Sequence, residues 1–348
     1  MKTILVTGGT GYIGSHTVVE LQQSGFDVII ADNLSNSDIR VLDRISDITG
    51  IKPAFEQFDL CEKQLTEKFF RLNKDIDAVI HFAAYKSVGE SVKDPLKYYY
   101  NNLVSLINLL ENLISGNIKN LVYSSSCTLY GQPDILPVTE NSPLKKAMSP
   151  YGNTKKISEE IIQDAINKGN NLKAISLRYF NPIGAHKSSL IGELPIGTPD
   201  NLVPYITQTA IGKREQLRIF GNDYNTPDGT CIRDYIHVVD LAKAHVAALN
   251  KMAGEKNDFG FEVYNLGTGK GYSVMEVINT FVEVTGTDLN YIFTDRRPGD
   301  VEQVFSDTKK ANRELGWKAE KTLGDMLLSA WNWEKQYNRN NPISKNIL

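Results

Sequence analysis

Residues 8–14 read Gly8-Gly9-Thr10-Gly11-Tyr12-Ile13-Gly14, directly after the apolar run 3–7 and directly before a segment of helical spacing at 12–23. Strand, glycine turn and helix in that order are the context a dinucleotide loop needs. Glycines permit the tight turn and a close backbone approach, and the free N–H groups at the positive end of the helix dipole face a pyrophosphate. The spacing is GxxGxxG, with Gly8, Gly11 and Gly14 in register. A chain that carries it is expected to build a parallel α/β sheet around that loop.

The rest of the first half keeps the same rhythm. β-rich apolar runs at 28–31, 79–83 and 121–124 alternate with helical spacing at 61–72 and 96–115. In the last of these Leu103, Leu106, Ile107 and Leu110 give an i, i+3, i+4, i+7 stripe. A helix over 150–167 and a strand over 173–179 continue the pattern, which is that of a Rossmann-type doubly wound parallel sheet. After Asn181 the rhythm changes. Residues 181–235 are rich in Gly, Pro and Asn and read as loops and short elements, with helices expected at 239–251 and 274–285. Residues 1–180 are expected to form the dinucleotide-binding domain. Residues 181–348 are expected to form mainly a smaller C-terminal α/β substrate domain, with some later segments returning to the first, and the two enclose a cleft.

Asp32 ends the second apolar run, 18 residues beyond Gly14. A carboxylate there accepts hydrogen bonds from the adenosine ribose and repels a 2′-phosphate. With Asn33 and Leu34 next and no Arg, the pocket is expected to prefer NAD over NADP. Asp59, after the apolar stretch 54–58, is a second strand-end carboxylate suited to the adenine amino group.

Tyr151 and Lys155 stand four apart behind Ser149 and Pro150, so a helix opening at Pro150 puts both on one face. An unperturbed tyrosine has a pKa near 10, and a lysine ammonium one turn away, together with the positive nicotinamide, is expected to draw it toward working pH, as a general base requires. Ser124, Ser125 and Ser126 follow an apolar run at the carboxyl edge of the sheet, where open α/β folds bind ligands. Ser126 is placed to share a substrate proton with Tyr151, and Ser124 to sit nearer the nicotinamide. Cys127 reads as packing.

Composition narrows the rest. The 348 residues hold 38 Lys+Arg against 41 Asp+Glu, a net charge of −3 that gives no long-range field for nucleic acid or an anionic membrane. No apolar run approaches the roughly 18 residues of a membrane span, and a cytoplasmic location is expected. Cys61, Cys127 and Cys231 have no CxxC spacing, and His16, His81, His186, His237 and His245 are scattered, so neither a disulfide framework nor a metal site is expected. Trp317, Trp331 and Trp333 read as helix packing.

Longer stretches carry a resemblance. VTGGTGYIGSHT, DNLSNS, VIHFAAYKSVGESV, YNNLVSL, SSSCTLYG, SPYGNTK, LRYFNPIGAH, FGNDYNTPDGTCIRDYIHV and YNLGTG together resemble the extended short-chain dehydrogenases/reductases. Within that family they are similar to the UDP-galactose 4-epimerase group, from end to end of the chain. The resemblance implies NAD as cofactor, a UDP-sugar as substrate and a homodimer. It implies reversible interconversion of UDP-galactose and UDP-glucose by C4 oxidation to a 4-keto intermediate and non-stereospecific return of hydride from tightly bound NADH.

By the same resemblance Ser126, Tyr151 and Lys155 are the catalytic set. Gly8, Gly11, Tyr12, Ile13, Gly14, Asp32, Asn33, Asp59, Leu60, Phe82, Ala83, Lys86, Asn101 and Tyr179 contact NAD, with Ser124, Tyr151 and Lys155. Asn181, Asn201, Leu202, Phe220, Arg233, Arg297 and Asp300 surround the UDP-sugar, the two arginines offering planar forks for a diphosphate. Val304 corresponds to a wall of the sugar pocket, where a small residue leaves room for an N-acetyl group. Two rivals remain: a sugar-nucleotide 4,6-dehydratase, which the resemblance associates with an Asp-Glu pair where Cys127 and Thr128 stand here, and a non-catalytic NAD-binding scaffold.

Overall fold

The computed structural model describes residues 2–254, 259–297 and 299–340. Its first part alternates β1 (Thr3–Thr7), α1 (Tyr12–Gln23), β2 (Asp27–Asp32), α2 (Val41–Thr49), β3 (Ala54–Gln57), α3 (Lys63–Leu72) and β4 (Ala78–His81). Then follow α4 (Val88–Lys93), α5 (Pro95–Ser115), β5 (Asn120–Ser126), a single 3₁₀ turn at 127–130, α6 (Pro150–Asn167) and β6 (Lys173–Tyr179). The remainder is β7 (Asn181–Ile183), α7 (Leu202–Ala210), β8 (Leu217–Phe220), β9 (Ile232–His237), α8 (Val238–Ala253) and β10 (Phe261–Leu266). It closes with β11 (Gly271–Ser273), α9 (Val274–Thr285), β12 (Tyr291–Thr294), β13 (Gln303–Val304), α10 (Lys309–Glu314) and α11 (Leu323–Asn340).

Seven parallel strands form the main sheet in the order β10-β6-β5-β4-β1-β2-β3. The order reverses beside β1, and that reversal opens the crevice in which doubly wound sheets bind ligands. Side chains alternate across the sheet as the pleat requires. Ile4, Val6, Ile30, Ile80 and Val122 face α1 and α8, with Val18, Leu241 and Leu249 packed on them. Leu5, Val79 and Leu121 face the other way, onto Phe69 and Phe70 of α3, Leu106, Leu109 and Leu113 of α5, and Ile162 of α6. Each fully buried Leu, Ile or Val is worth about 1.5–3 kcal/mol, so this two-sided burial sets the rigidity of the strand ends.

The expected helices at 12–23, 150–167 and 274–285 and the strands at 3–7 and 173–179 match the observed bounds. The expected helix at 61–72 begins at Lys63, because the Asp59 carboxylate accepts the Cys61 amide (2.8 Å) and turns the chain first. Past residue 180 the chain feeds both bodies. α8 lies on α1 and β10 joins the main sheet beside β6, while β7, β9, β11 and β13 make a second sheet. That second body has its own core, with Val203, Ile206, Ile219, Tyr235, Phe281, Leu327 and Trp331. Among the described residues no helix is long and apolar enough to cross a membrane.

Candidate active site

The carboxyl ends of β1 to β6 lie along one edge of the parallel sheet. Gly8 has a φ of +70°, and a Cβ there would stand 2.8 Å from the Ala83 nitrogen after β4. A Cβ on Gly14 would fall 2.2 Å from the Gly8 oxygen, so the loop closes on itself only with hydrogen at that position. Gly11 is the N-cap of α1, with no side-chain cap and no acidic residue in the first turn. The first helical N–H groups are thus left for an anion. Ile13 packs on the core beneath, and the Tyr12 hydroxyl donates to the Gly184 carbonyl at 2.6 Å, tying the loop to the segment after β7.

Asp32 at the end of β2 accepts the Thr10 amide (3.2 Å) and the Leu34 amide (2.9 Å), which holds its carboxylate beside the glycine turn. Leu34 is itself left-handed, with φ +58°. Asn33 donates to Asp59 at 3.0 Å and so joins the ends of β2 and β3; Leu60 is buried next to it. Phe82 lies against His245 of α8, the ring centroids 4.8 Å apart. Asn101, on α5, accepts the Cys61 thiol through its carbonyl (3.6 Å) and donates its amide to Asn102 (3.0 Å). A glycine cradle under an uncapped helix, with a carboxylate at the next strand end, fits an adenine dinucleotide.

On the other side of the crevice, the Ser149 hydroxyl accepts the Gly152 amide (3.1 Å) and Pro150 fills the first turn, which starts α6 and places Tyr151 and Lys155 on its inner face. Lys155 is 3% exposed, and its Nζ donates to the Ser124 carbonyl at 2.6 Å. It lies 4.9 Å from the centroid of the Tyr123 ring and 6.0 Å from that of Tyr151. The Ser126 hydroxyl accepts from the Thr128 amide (3.2 Å) and hydroxyl (3.0 Å), so it caps the 3₁₀ turn that carries Cys127.

Burial sets the electrostatics of this pair. Burial pushes the Tyr151 phenol up to about 12, with a weaker opposing pull from Ser126, and burial draws Lys155 down to about 7. The lysine by itself therefore does not bring the tyrosine toward neutrality. Low-dielectric surroundings disfavour both charged forms, and the amine is engaged by the Ser124 carbonyl rather than by the phenol. Tyr179 donates to His245 Nε2 at 2.5 Å, since His245 Nδ1 is the nitrogen that faces the Leu241 carbonyl (2.9 Å).

Residues expected around the substrate fall into two groups. Arg297 makes a two-pronged pair with Asp300 (3.2 and 2.9 Å) and lies 5.6 Å from the Phe220 ring centroid, while Arg233 approaches Asp300 at 3.8 Å. Asn181 starts β7, paired with β9, the strand of Arg233. Asn201, the N-cap before Leu202, donates to Glu193 at 2.7 Å, and Glu193 also holds Lys86 at 3.0 Å. Val304 pairs in register with Arg233, but its side chain is 4% exposed and packs with Cys127, Leu129, Tyr130 and Phe180.

Sequence reasoning passed over Glu193, His245, Glu159 and Arg178, all of which touch or support this site. Glu159 did carry a signal: it is four residues after Lys155. Among the described residues no group of three or more His, Cys, Asp or Glu is arranged to hold a metal ion.

Known proteins resemble the chain along nearly its whole length. Residues 4–267 match the NAD dependent epimerase/dehydratase family. A UDP-glucose 4-epimerase of Bacillus subtilis (strain 168) is 51% identical over 331 residues, covering 95% of this chain and 96% of its own. The crystal structure of a Bifidobacterium longum UDP-glucose 4-epimerase in complex with NAD+ and UDP superposes with a TM-score of 0.92 at 46% identity, over 96% of this chain and 98% of that one. A Stenotrophomonas maltophila UDP-glucose-4-epimerase with bound NAD and formylated UDP-arabinopyranose gives 0.94 at 47% identity, over 98% and 100%.

Proposed function

The chain belongs to the NAD dependent epimerase/dehydratase family, and from that premise we propose that it interconverts UDP-glucose and UDP-galactose with bound NAD. The observation that carries the reading is the meeting of the glycine cradle with Ser126, Tyr151 and Lys155 across one crevice. Gly8, Gly11, Gly14 and Asp32 hold the dinucleotide, with Asn33, Asp59, Phe82, Lys86 and Tyr179 around it. Bound there, NAD supplies the acceptor and donor of the two electrons that the sugar C4 gives up and takes back.

The chain's own residues manage the proton and the sugar. Tyr151 Oη takes the proton of the sugar 4-hydroxyl and later returns it, and Ser126 shares it. Lys155 supplies positive charge one helical turn from Tyr151. Arg233 and Arg297 grip the diphosphate with planar forks, which frees the sugar ring to turn between its two faces as a 4-keto species. Asp300, now paired with Arg297, orients that guanidinium. Purified protein given UDP-galactose, with no added reductant, is expected to form UDP-glucose. Release of a dehydrated keto sugar would instead support the dehydratase, and NAD binding without turnover would support the scaffold. Cys127 and Thr128, where an acid pair would drive elimination, favour the epimerase.

Sugar choice is assigned to Val304. Val304 is buried against Cys127 and Phe180, so a tyrosine there overfills that cluster and has to displace part of the wall, and we read the smaller valine as what leaves room for an N-acetyl group. N-acetylated UDP-sugars are expected as additional substrates, and Val304→Tyr is expected to lower kcat/KM for UDP-N-acetylgalactosamine about tenfold more than for UDP-galactose. An unchanged ratio of the two would show that another residue sets the choice.

The reading includes a homodimer. α5 exposes Leu96 (77%), Tyr100 (64%), Ile107 (41%) and Ile114 (41%), an apolar line on the face turned away from the sheet. Contiguous apolar surface of this kind marks an association site. Sedimentation is expected to give twice the chain's 38.9 kDa, and a monomer mass at micromolar concentration would rule the dimer out.

A further inference from the structure

Behind the three serines lies a buried ion pair that the chemistry above does not use. Glu159 of α6 and Arg178 of β6 are each 5% exposed and meet in a two-pronged bridge, Nη2 to Oε2 at 2.6 Å and Nε to Oε1 at 3.1 Å. The Ser125 hydroxyl of β5 and the Ser176 hydroxyl of β6 both donate to Glu159 Oε1, at 2.6 and 2.7 Å. Arg178 Nη1 donates to the Tyr130 hydroxyl (2.9 Å), which donates to Asn265 Oδ1 of β10 (2.7 Å). One carboxylate thus ties α6 to β5 and β6. Taking both charges out of water is costly, so such a pair is a poor device for stability; what it fixes is position.

The same helix carries Lys155. Tyr151, Lys155 and Glu159 stand at i, i+4 and i+8 of α6 and share a face. Ser125, held by Glu159, is the neighbour of Ser124, whose carbonyl receives the Lys155 amine. We propose that Glu159, clamped by Arg178, is a positioning residue that sets Lys155 against the Ser124 carbonyl and keeps its amine charged. The proposal rests on the roles given above to Tyr151 and Lys155.

The surroundings of Lys155 support it. Burial draws the amine down, and the charge of Glu159 is what opposes that. From α6 it is faced by Tyr151 and Glu159, and from β5 by the Tyr123 ring. From β4 it is faced by His81, which burial keeps neutral, its pKa lowered to about 3. From β6, Arg178 spends its charge on Glu159, and Tyr179, raised by burial, is un-ionised. Among these groups Glu159 is the anion.

The test is a pH titration of the Lys155 side-chain signal by ¹⁵N NMR, assigned by its disappearance in Lys155→Met, alongside the pH profile of kcat. Glu159→Gln is expected to lower the Lys155 midpoint by about one pH unit or more and to reduce kcat at pH 7 about tenfold, with KM for UDP-galactose unchanged. Because that variant strands a buried guanidinium, Glu159→Gln/Arg178→Met is measured beside it. It removes both charges and is expected to shift the midpoint in the same direction by less. A wild-type midpoint in the paired variant overturns the proposal, whether or not the single variant folds. Loss of fold in both assigns the pair to the scaffold and also overturns it. Absence of epimerase activity in the wild-type protein would refute the function instead, and the titration would still decide what Glu159 does to Lys155.

Discussion

Tyr151→Phe is expected to lower kcat for UDP-galactose epimerisation by about 10²- to 10⁴-fold, the usual loss on removing a general base, and by more if the tyrosine and its partners act as a unit. The ring and the α6 face it occupies are kept, so the melting temperature and the NAD content of the purified protein should stay at wild-type values. The starting point makes the loss large. Burial, against a weaker pull from Ser126, pushes the phenol up to about 12, a value at which only about one molecule in 10⁵ is ionised at pH 7. Activity at neutral pH therefore depends on positive charge gathered against that oxygen, and a phenylalanine has no oxygen to respond. Stopped assays of product sugar nucleotide over a tenfold range of substrate give kcat and KM separately. A variant within threefold of wild type would remove Tyr151 from the reaction.

Lowering the pH from 7 to 5 is expected to unfold the protein. His16, His81, His237 and His245 are buried, and burial holds them at about 3, 3, 4 and 4, against about 6.5 in an unfolded chain. A group whose folded pKa is depressed stabilises the fold above its unfolded pKa and withdraws that stability as the pH falls toward the folded one. Each histidine then costs about 1.4 kcal/mol per pH unit below 6.5, and by pH 5 the four together cost about 8 kcal/mol. That matches the whole stability of an ordinary domain, about 5–15 kcal/mol. Their hydrogen bonds show why protonation is resisted. His237 Nδ1 accepts the Val239 amide and His245 Nε2 accepts the Tyr179 hydroxyl, and a second ring proton would break both. Circular dichroism at 222 nm against pH, with reversal on return to pH 7, is the measurement. A melting temperature that stays level between pH 7 and 5 would contradict the argument.

Local pattern carried the sequence reading where structure is local. The glycine turn, the helix opened by Pro150, and the i, i+4 relation of Tyr151 to Lys155 depend on neighbours within a few residues, and they are legible. The pairing of β10 with β6 is not, because the partners are more than 80 residues apart and nothing in FEVYNL names its neighbour. β8 and β12 pair in the same long-range way, and their short runs lie among loop residues. The site shows the same division. Asp32 and Ser126 are recognisable at strand ends, whereas Glu193 is a surface-type residue until the fold brings Lys86 and Asn201 to it. The burial of Tyr151 and Lys155 is likewise a property of the assembled fold, and their spacing alone does not show it.

The seventh strand of the main sheet is also the last of its members to be synthesised. When β6 leaves the ribosome, β1 to β5 have already emerged, yet the outer edge of β6 has no partner until Leu266 follows. A nascent chain paused or cut between 180 and 260 carries Ala174, Ile175 and Leu177 on an open parallel edge, the kind of template on which unfinished chains pair with one another. The fragment 1–180, for all its appearance as a self-sufficient binding module, is by this argument a seed for aggregates. A fragment ending beyond 266 has the β6 edge paired, but β10 is then the outermost strand, and the Lys310 amine that donates to its Val263 carbonyl (2.9 Å) comes later still in the chain.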